Sequence, residues 1–137
     1  MSNGSGATRH ATGGCLCRAV RYEVDGELRD VVLCHCEMCR RTHGHVAAYT
    51  AAERDEFRLV ESRGLRWYVS SPIARRGFCA ECGASLFWER EGGNVISIAA
   101  GSVDAPTGLA TTLQIFVDSA GDYYDIDERI AQRREWS

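Results

Sequence analysis

From Arg18 to Val24 apolar and polar residues alternate, with Val20, Tyr22 and Val24 on one face and Arg21 and Glu23 on the other. A period of two predicts a half-buried strand that ends in the Asp25-Gly26 turn. Further short strands are predicted at Arg29–Leu33, at Val46–Ala51 and at Arg76–Cys79. Phe57–Glu61 and Leu65–Ser70 read as a hairpin about Ser62-Arg63-Gly64, and Ser85–Arg90 pairs with Val95–Ala100 across Gly92-Gly93-Asn94. Leu113–Asp118 and Tyr123–Ile126 complete the set, joined around Gly121. Arg41–Gly44 reads as a turn, and Asp127–Trp136 as one or two helical turns. Short strands at near-regular spacing with turn residues between them predict a single mostly β domain over residues 13–137. The Gly/Ser/Thr-rich segment 1–12 reads as a flexible tail.

Composition narrows the class without naming a function. Apolar residues make up 45% and charged residues 26% of 137 residues, ordinary values for a globular chain. A net charge of −3 gives no basis for non-specific nucleic-acid binding. The longest apolar stretches, such as Val95–Ala100, fall far short of the ~20 residues a membrane helix needs. The first twelve residues have no apolar core of a signal peptide, so the expected compartment is the cytoplasm. All 16 cationic side chains are arginine, and without lysine no Schiff base with a carbonyl substrate can form.

The cysteines change the picture most. There are seven, Cys15, Cys17, Cys34, Cys36, Cys39, Cys79 and Cys82, spaced as C-x-C, C-x-C-x-x-C and C-x-x-C. An odd count without a secretion signal argues against a disulfide framework. Metal ligation explains the clustering: C-x-x-C sets two thiolates on one turn, and an extended C-x-C sets both sulfurs on one face. An all-thiolate set favours zinc over magnesium or calcium, with an iron–sulfur cluster as the lesser alternative. Seven thiolates suit two ions, one closed site of four and one of three with a position open. Two divisions fit. Either Cys15, Cys17, Cys79 and Cys82 close one site and leave Cys34, Cys36 and Cys39, or Cys36/Cys39 and Cys79/Cys82 close a ribbon-like site. Spacing alone does not decide, although ribbon habit leans to the second.

Three stretches carry a family resemblance: Gly13-Gly14-Cys15-Leu16-Cys17-Arg18-Ala19-Val20-Arg21-Tyr22, Cys34-His35-Cys36-Glu37-Met38-Cys39-Arg40-Arg41, and Gly77-Phe78-Cys79-Ala80-Glu81-Cys82-Gly83-Ala84-Ser85-Leu86. In this order they resemble the glutathione-dependent formaldehyde-activating enzymes, a family that includes centromere-protein-V-like domains. The resemblance runs from about Gly13 to Ile126. It implies a β-tent fold of stacked antiparallel sheets with two cysteine-ligated zinc sites. It also implies the first division, with Cys15, Cys17, Cys79 and Cys82 structural and Cys34, Cys36 and Cys39 catalytic. Two positions depart from the pattern: Gln114 stands where many relatives carry histidine, and Tyr123-Tyr124 where a tryptophan is expected.

A zinc held by three thiolates is a poor Lewis acid and a good activator of a sulfur nucleophile. The resemblance implies a carbon–sulfur lyase, forming or cleaving S-hydroxymethylglutathione or a related thiol adduct, and this preference for a sulfur nucleophile agrees with it. Glutathione is the expected co-substrate. Arg40 and Arg41 are the candidate grips for its carboxylates; charge compensation of the zinc sites is the alternative for them and for Arg18, Arg75 and Arg76. His35, lying between two ligands, should point away from the metal. His43 reads as an exposed turn residue that could serve as a fourth ligand or base. Glu37 is a weaker candidate to tune the zinc. Asp118, Asp122, Asp125, Asp127 and Glu128 read as a solvated acidic edge. The rival reading is a non-catalytic, zinc-stabilised β module that binds a protein partner.

Overall fold

Short strands form two sheets that close on a main core. The computed structural model describes residues 10–136. In strand β2 (Arg21–Val24), Tyr22 and Val24 are buried while Arg21 and Glu23 are half-exposed, as the alternation predicts. It lies between β1 (Ala11–Gly14) and β5 (Phe57–Glu61), antiparallel to both. Strand β1 opens at Ala11, two residues inside the expected tail; positions 1–9 of that tail lie outside the described residues.

The larger sheet has eight strands among the described residues. Its further members are β3 (Val31–Cys34), β4 (Ala47–Glu53), β6 (Leu65–Ser71), β7 (Ala74–Cys79), β8 (Ser85–Arg90), β9 (Val95–Ala99), β10 (Thr111–Ile115) and β11 (Ala131–Gln132). They run in the order β11-β10-β3-β4-β9-β8-β7-β6. The sheet is mixed and not wholly antiparallel, because β10 lies parallel to both β3 and β11. Tyr22, Val24 and Phe57 from the small sheet meet Leu86, Phe87, Ile96 and Ile98 from the large one, forming the main core. Tyr22, Phe57 and Phe87 pack with ring centroids 5.3–5.6 Å apart, the edge and tilted contacts that aromatic rings favour. A second, smaller cluster of Val32, Cys34, Cys39, Ala47, Tyr49 and Ile115 forms separately.

Several local expectations are corrected. β5 and β6 do not form a hairpin: β5 joins the small sheet and β6 the large one, where it pairs with β7. The chain changes sheets at Gly64, whose N–H donates to the Ala19 carbonyl and whose carbonyl accepts from the Ala80 N–H. Glu37–His43 is a helix, α1, where only a turn at Arg41–Gly44 was expected. Its N-cap is Cys36, whose sulfur accepts from the Cys39 N–H; Gly44 ends it in the left-handed conformation. Tyr123–Ile126 is not a strand, because its tyrosines turn onto histidines instead of a ladder. The C-terminal stretch, expected to be helical, supplies β11 and lays its backbone along β10.

Candidate metal centres

Topology gathers the seven cysteines into two groups. Cys15, Cys17, Cys79 and Cys82 form one and Cys34, Cys36 and Cys39 the other, with the sulfurs of each group within 4.8 Å of one another. This is the four-plus-three division; Cys36/Cys39 and Cys79/Cys82 do not share a site.

In the first group the C-x-C is not extended, contrary to expectation. It closes a tight loop in which the Cys15 N–H donates to the Val20 carbonyl, Arg18 adopts a φ of 70°, and Leu16 points to solvent. The Cys17 sulfur lies 3.8 Å from that of Cys15 and 3.7 Å from that of Cys79. Four sulfurs at ~2.3 Å from a tetrahedral zinc would stand about 3.8 Å apart, so the donor set fits that ion. Backbone N–H groups of Cys17 and Ala84 pull the Cys82 thiol down to about 6, towards the thiolate that a metal binds.

The second group sits where β3 runs into α1. Cys34 ends the strand, Cys36 caps the helix and Cys39 lies one turn inside it, so all three follow from local structure. Hydrogen bonds from Cys34 and Cys39 pull the Cys36 thiol down to about 2, and the reciprocal bonds push Cys34 up. Three such sulfurs also suit a soft ion, leaving its fourth tetrahedral position to another ligand.

Arg76, on β7, is only 7% exposed and reaches this cluster. Its Nη2 donates to the Cys39 sulfur at 3.5 Å and its Nη1 to the Tyr49 hydroxyl at 3.2 Å. Burial works against the guanidinium charge, but the hydrogen bond to Cys39 together with the charges of Tyr49, Cys39 and Cys36 holds its pKa above the ordinary value. The other anticipated arginines lie elsewhere. Arg41 pairs with Glu37 at 2.9 Å on the exposed face of α1, which also takes Glu37 away from the sulfurs. Arg75 binds Glu89 and covers the Trp67 ring at 3.8 Å. Arg40 is half-buried, and its Nε–H has no acceptor among the described residues. Arg18 is exposed in the Cys15 loop.

The histidines divide differently from expectation. His35 does turn away from the sulfurs and is buried; its Nδ1 lies 2.7 Å from the Tyr124 hydroxyl and its Nε2 3.0 Å from Gln114 Oε1. Gln114 donates its own amide to the Asp127 carbonyl at 2.8 Å, which orients Oε1 toward the ring. His35 Nε2 therefore carries the proton, and Nδ1 accepts from Tyr124. Gln114 and Tyr124 thus meet on one histidine. His43 is not an exposed turn residue: it is half-buried on α1, with Nε2 2.8 Å from the Tyr49 hydroxyl, and burial holds its pKa down. Tyr49 was absent from the sequence reading, although it links His43 to Arg76. Its only sequence signal is strand parity: it lies two residues from Ala47, the register partner of Cys34. Among the acidic residues, Asp118 and Asp127 bind Arg134 and Arg129, while Asp122, Asp125 and Glu128 are solvent-exposed.

A two-sheet β domain with a four-cysteine cluster and a separate three-cysteine cluster, each able to hold a metal ion, defines a protein of β-tent type. The chain belongs to the family described as glutathione-dependent formaldehyde-activating enzyme, whose profile matches residues 10–119. It is 29% identical over 115 residues to an uncharacterized lyase of Schizosaccharomyces pombe, covering 82% of each chain. A crystal structure of a Rhodobacter sphaeroides protein shares the fold, with a TM-score of 0.58 and 23% identity over 89% of this chain and 98% of that one. No helix among the described residues is long and apolar enough to cross a membrane.

Proposed function

We propose that the chain is a cytoplasmic, zinc-dependent carbon–sulfur lyase that forms or cleaves adducts of glutathione with an aldehyde. Family membership and the lyase-named relative support a glutathione-related lyase role in general. The observation that carries the finer reading is the three-sulfur cluster with a buried guanidinium on one of its sulfurs. Zinc held by Cys34, Cys36 and Cys39 would supply a low pKa to a thiol bound at its remaining position. A second zinc in the four-cysteine cluster would be structural. Three thiolates and one divalent ion sum to about −1, and a substrate thiolate makes it about −2. Arg76, already donating to Cys39, offsets part of that charge without having to move. Tyr49, held between Arg76 and His43, can present its hydroxyl to the carbinol or carbonyl oxygen of the adduct. Arg40, half-buried next to Cys39 in α1 with an Nε–H that has no acceptor among the described residues, and Arg41, exposed on the same helix and paired with Glu37, are the proposed grips for the glutathione carboxylates.

Calorimetry of zinc-loaded protein tests the reading. Glutathione should bind with release of a proton, reported by buffers of different ionisation enthalpy. S-methylglutathione, which cannot become a thiolate, should bind much more weakly. Equal binding of the two would refute thiolate recognition, and binding of neither would favour the protein-binding module.

A further inference from the structure

A cavity of about 310 Å³ opens beside Arg76 and Tyr49, the two residues that reach the three-cysteine cluster. Thr42 on α1 and Tyr68, Phe78 and Phe87 on β6–β8 wall it, with Tyr49 and Arg76 lining it as well. Its size falls in the range of small-molecule sites, and its composition matches them: aromatic walls with a few convergent polar groups. The carbon that formaldehyde adds to sulfur is no larger than one or two water molecules of ~30 Å³ each, so it would leave this space unused. Arg76 also has spare capacity, because its Nε–H is buried with no acceptor among the described residues.

We propose that this cavity receives the aldehyde-derived half of the thiol adduct, and that the preferred aldehyde carries an aromatic or branched apolar group. The proposal rests on the lyase reading and specifies its substrate class. The thiol sulfur lies at Cys34, Cys36 and Cys39, the apolar group lies against Phe78, Phe87 and Tyr68, and the carbinol oxygen faces Arg76 and Tyr49. In the cleavage direction the carbon–sulfur bond breaks and its electron pair leaves on sulfur. The carbinol O–H loses its proton to solvent as the carbonyl forms, and the thiolate is reprotonated on release. Aldehyde and glutathione result, with no oxidant or reductant. Each methylene-sized increment in an apolar pocket discriminates by roughly 10- to 200-fold, so a phenyl group supplies ample selectivity.

Binding and exchange test this separately. By calorimetry, S-benzylglutathione should bind at least tenfold more tightly than S-methylglutathione, and Thr42→Trp, which fills the mouth from an exposed helical position, should erase most of that ratio. Proton exchange spectroscopy should show faster catalysed exchange for the benzaldehyde adduct than for the formaldehyde adduct, with the preference reduced about tenfold in Tyr68→Ala. Equal affinity of the two S-substituted glutathiones, or a ratio untouched by Thr42→Trp, would overturn the cavity's role. Catalysed exchange of the formaldehyde adduct with no gain for benzaldehyde would overturn it too while leaving the lyase reading intact. Absence of catalysed exchange for both adducts would overturn the lyase reading and the inference together.

Discussion

Replacing Gly64 by alanine should damage the four-cysteine centre without replacing any of its cysteines. Gly64 is buried where the chain passes from the small sheet to the large one. A Cβ built there lies 2.7 Å from the Cys79 sulfur and 2.8 Å from the Ala19 Cβ. Both distances fall about 0.7–0.8 Å inside the ~3.5 Å lower end of non-bonded contact. Cys79 and Ala19 are both 0% exposed, and two backbone hydrogen bonds hold Gly64 itself, so nothing nearby yields cheaply. Overpacking of this kind costs about 1–3 kcal/mol. At roughly 3–5 °C per kcal/mol for a domain of this size, the melting temperature should fall by about 3–15 °C. Metal sites tolerate errors of only ~0.2 Å, so the displaced sulfur should also make this centre lose zinc to a chelator first. The assay is thermal melting with metal counting after graded chelation. Gly101→Ala is the control, since nothing lies within 4 Å of its built Cβ. A Gly64→Ala protein that melts with the control and holds both ions equally well would refute the reasoning.

Cys82→Ala should yield insoluble or unfolded protein, whereas Cys39→Ala should remain folded with one zinc fewer, as measured by elemental analysis of the soluble fraction; equal collapse of both would contradict separate centres. Gln114→Leu should cost about 1–3 kcal/mol in urea unfolding, because it leaves the buried His35 Nε2–H without its acceptor. Asp104 is held below the ordinary carboxylate range first by its hydrogen bond from Arg21. Its contribution is therefore present above the unfolded carboxylate pKa and lost as pH falls through the folded value. With Asp104 half-exposed it should amount to only about 0.5 kcal/mol, so Asp104→Asn should melt slightly lower at pH 7 and converge with wild type as the pH is lowered through the acid range below the unfolded carboxylate pKa of ~3.9.

The strands were largely legible because alternation is a local property. β2 falls where period-two patterning places it, and β5, β8 and β9 fall where short apolar runs between turn residues place them. Which sheet each joins is not local: Phe57–Glu61 and Leu65–Ser71 look like two arms of a hairpin, and only the contacts of Gly64 with Ala19 and Ala80 send them apart. Helix α1 had readable signals, with Glu37 in its first turn, Arg40, Arg41 and His43 towards its end, and Gly44 after it. Reading Cys36-x-x-Cys39 as an isolated knuckle hid the fact that a knuckle sulfur can also be an N-cap. The division of the cysteines came from family resemblance, since spacing leaned the other way. The role of Arg76 could be named only generically, because its distance from Cys39 in sequence, 37 residues, carries no information about proximity.

The two centres differ in what metal binding has to accomplish. The four-cysteine group spans Cys15 to Cys82, a separation of 67 residues, whereas the other spans Cys34 to Cys39, a separation of 5. Loop-closure cost grows by about 0.6 kcal/mol per doubling, so the longer span needs about 2 kcal/mol more entropy to close. The folded sheets supply it: Cys15 and Cys79 lie in the core between them, and an ion there would fasten the first loop to the end of β7. Its binding energy is thereby tied to folding. The three-cysteine group instead belongs to the second, smaller cluster, and its sulfurs are brought together by one strand end and one helical turn. A ligand added or removed there would make no direct contact with the main core cluster, to which none of these three cysteines belongs. A centre whose occupancy must change during turnover belongs in the second position, which is the physical reason to place the chemistry at Cys34, Cys36 and Cys39.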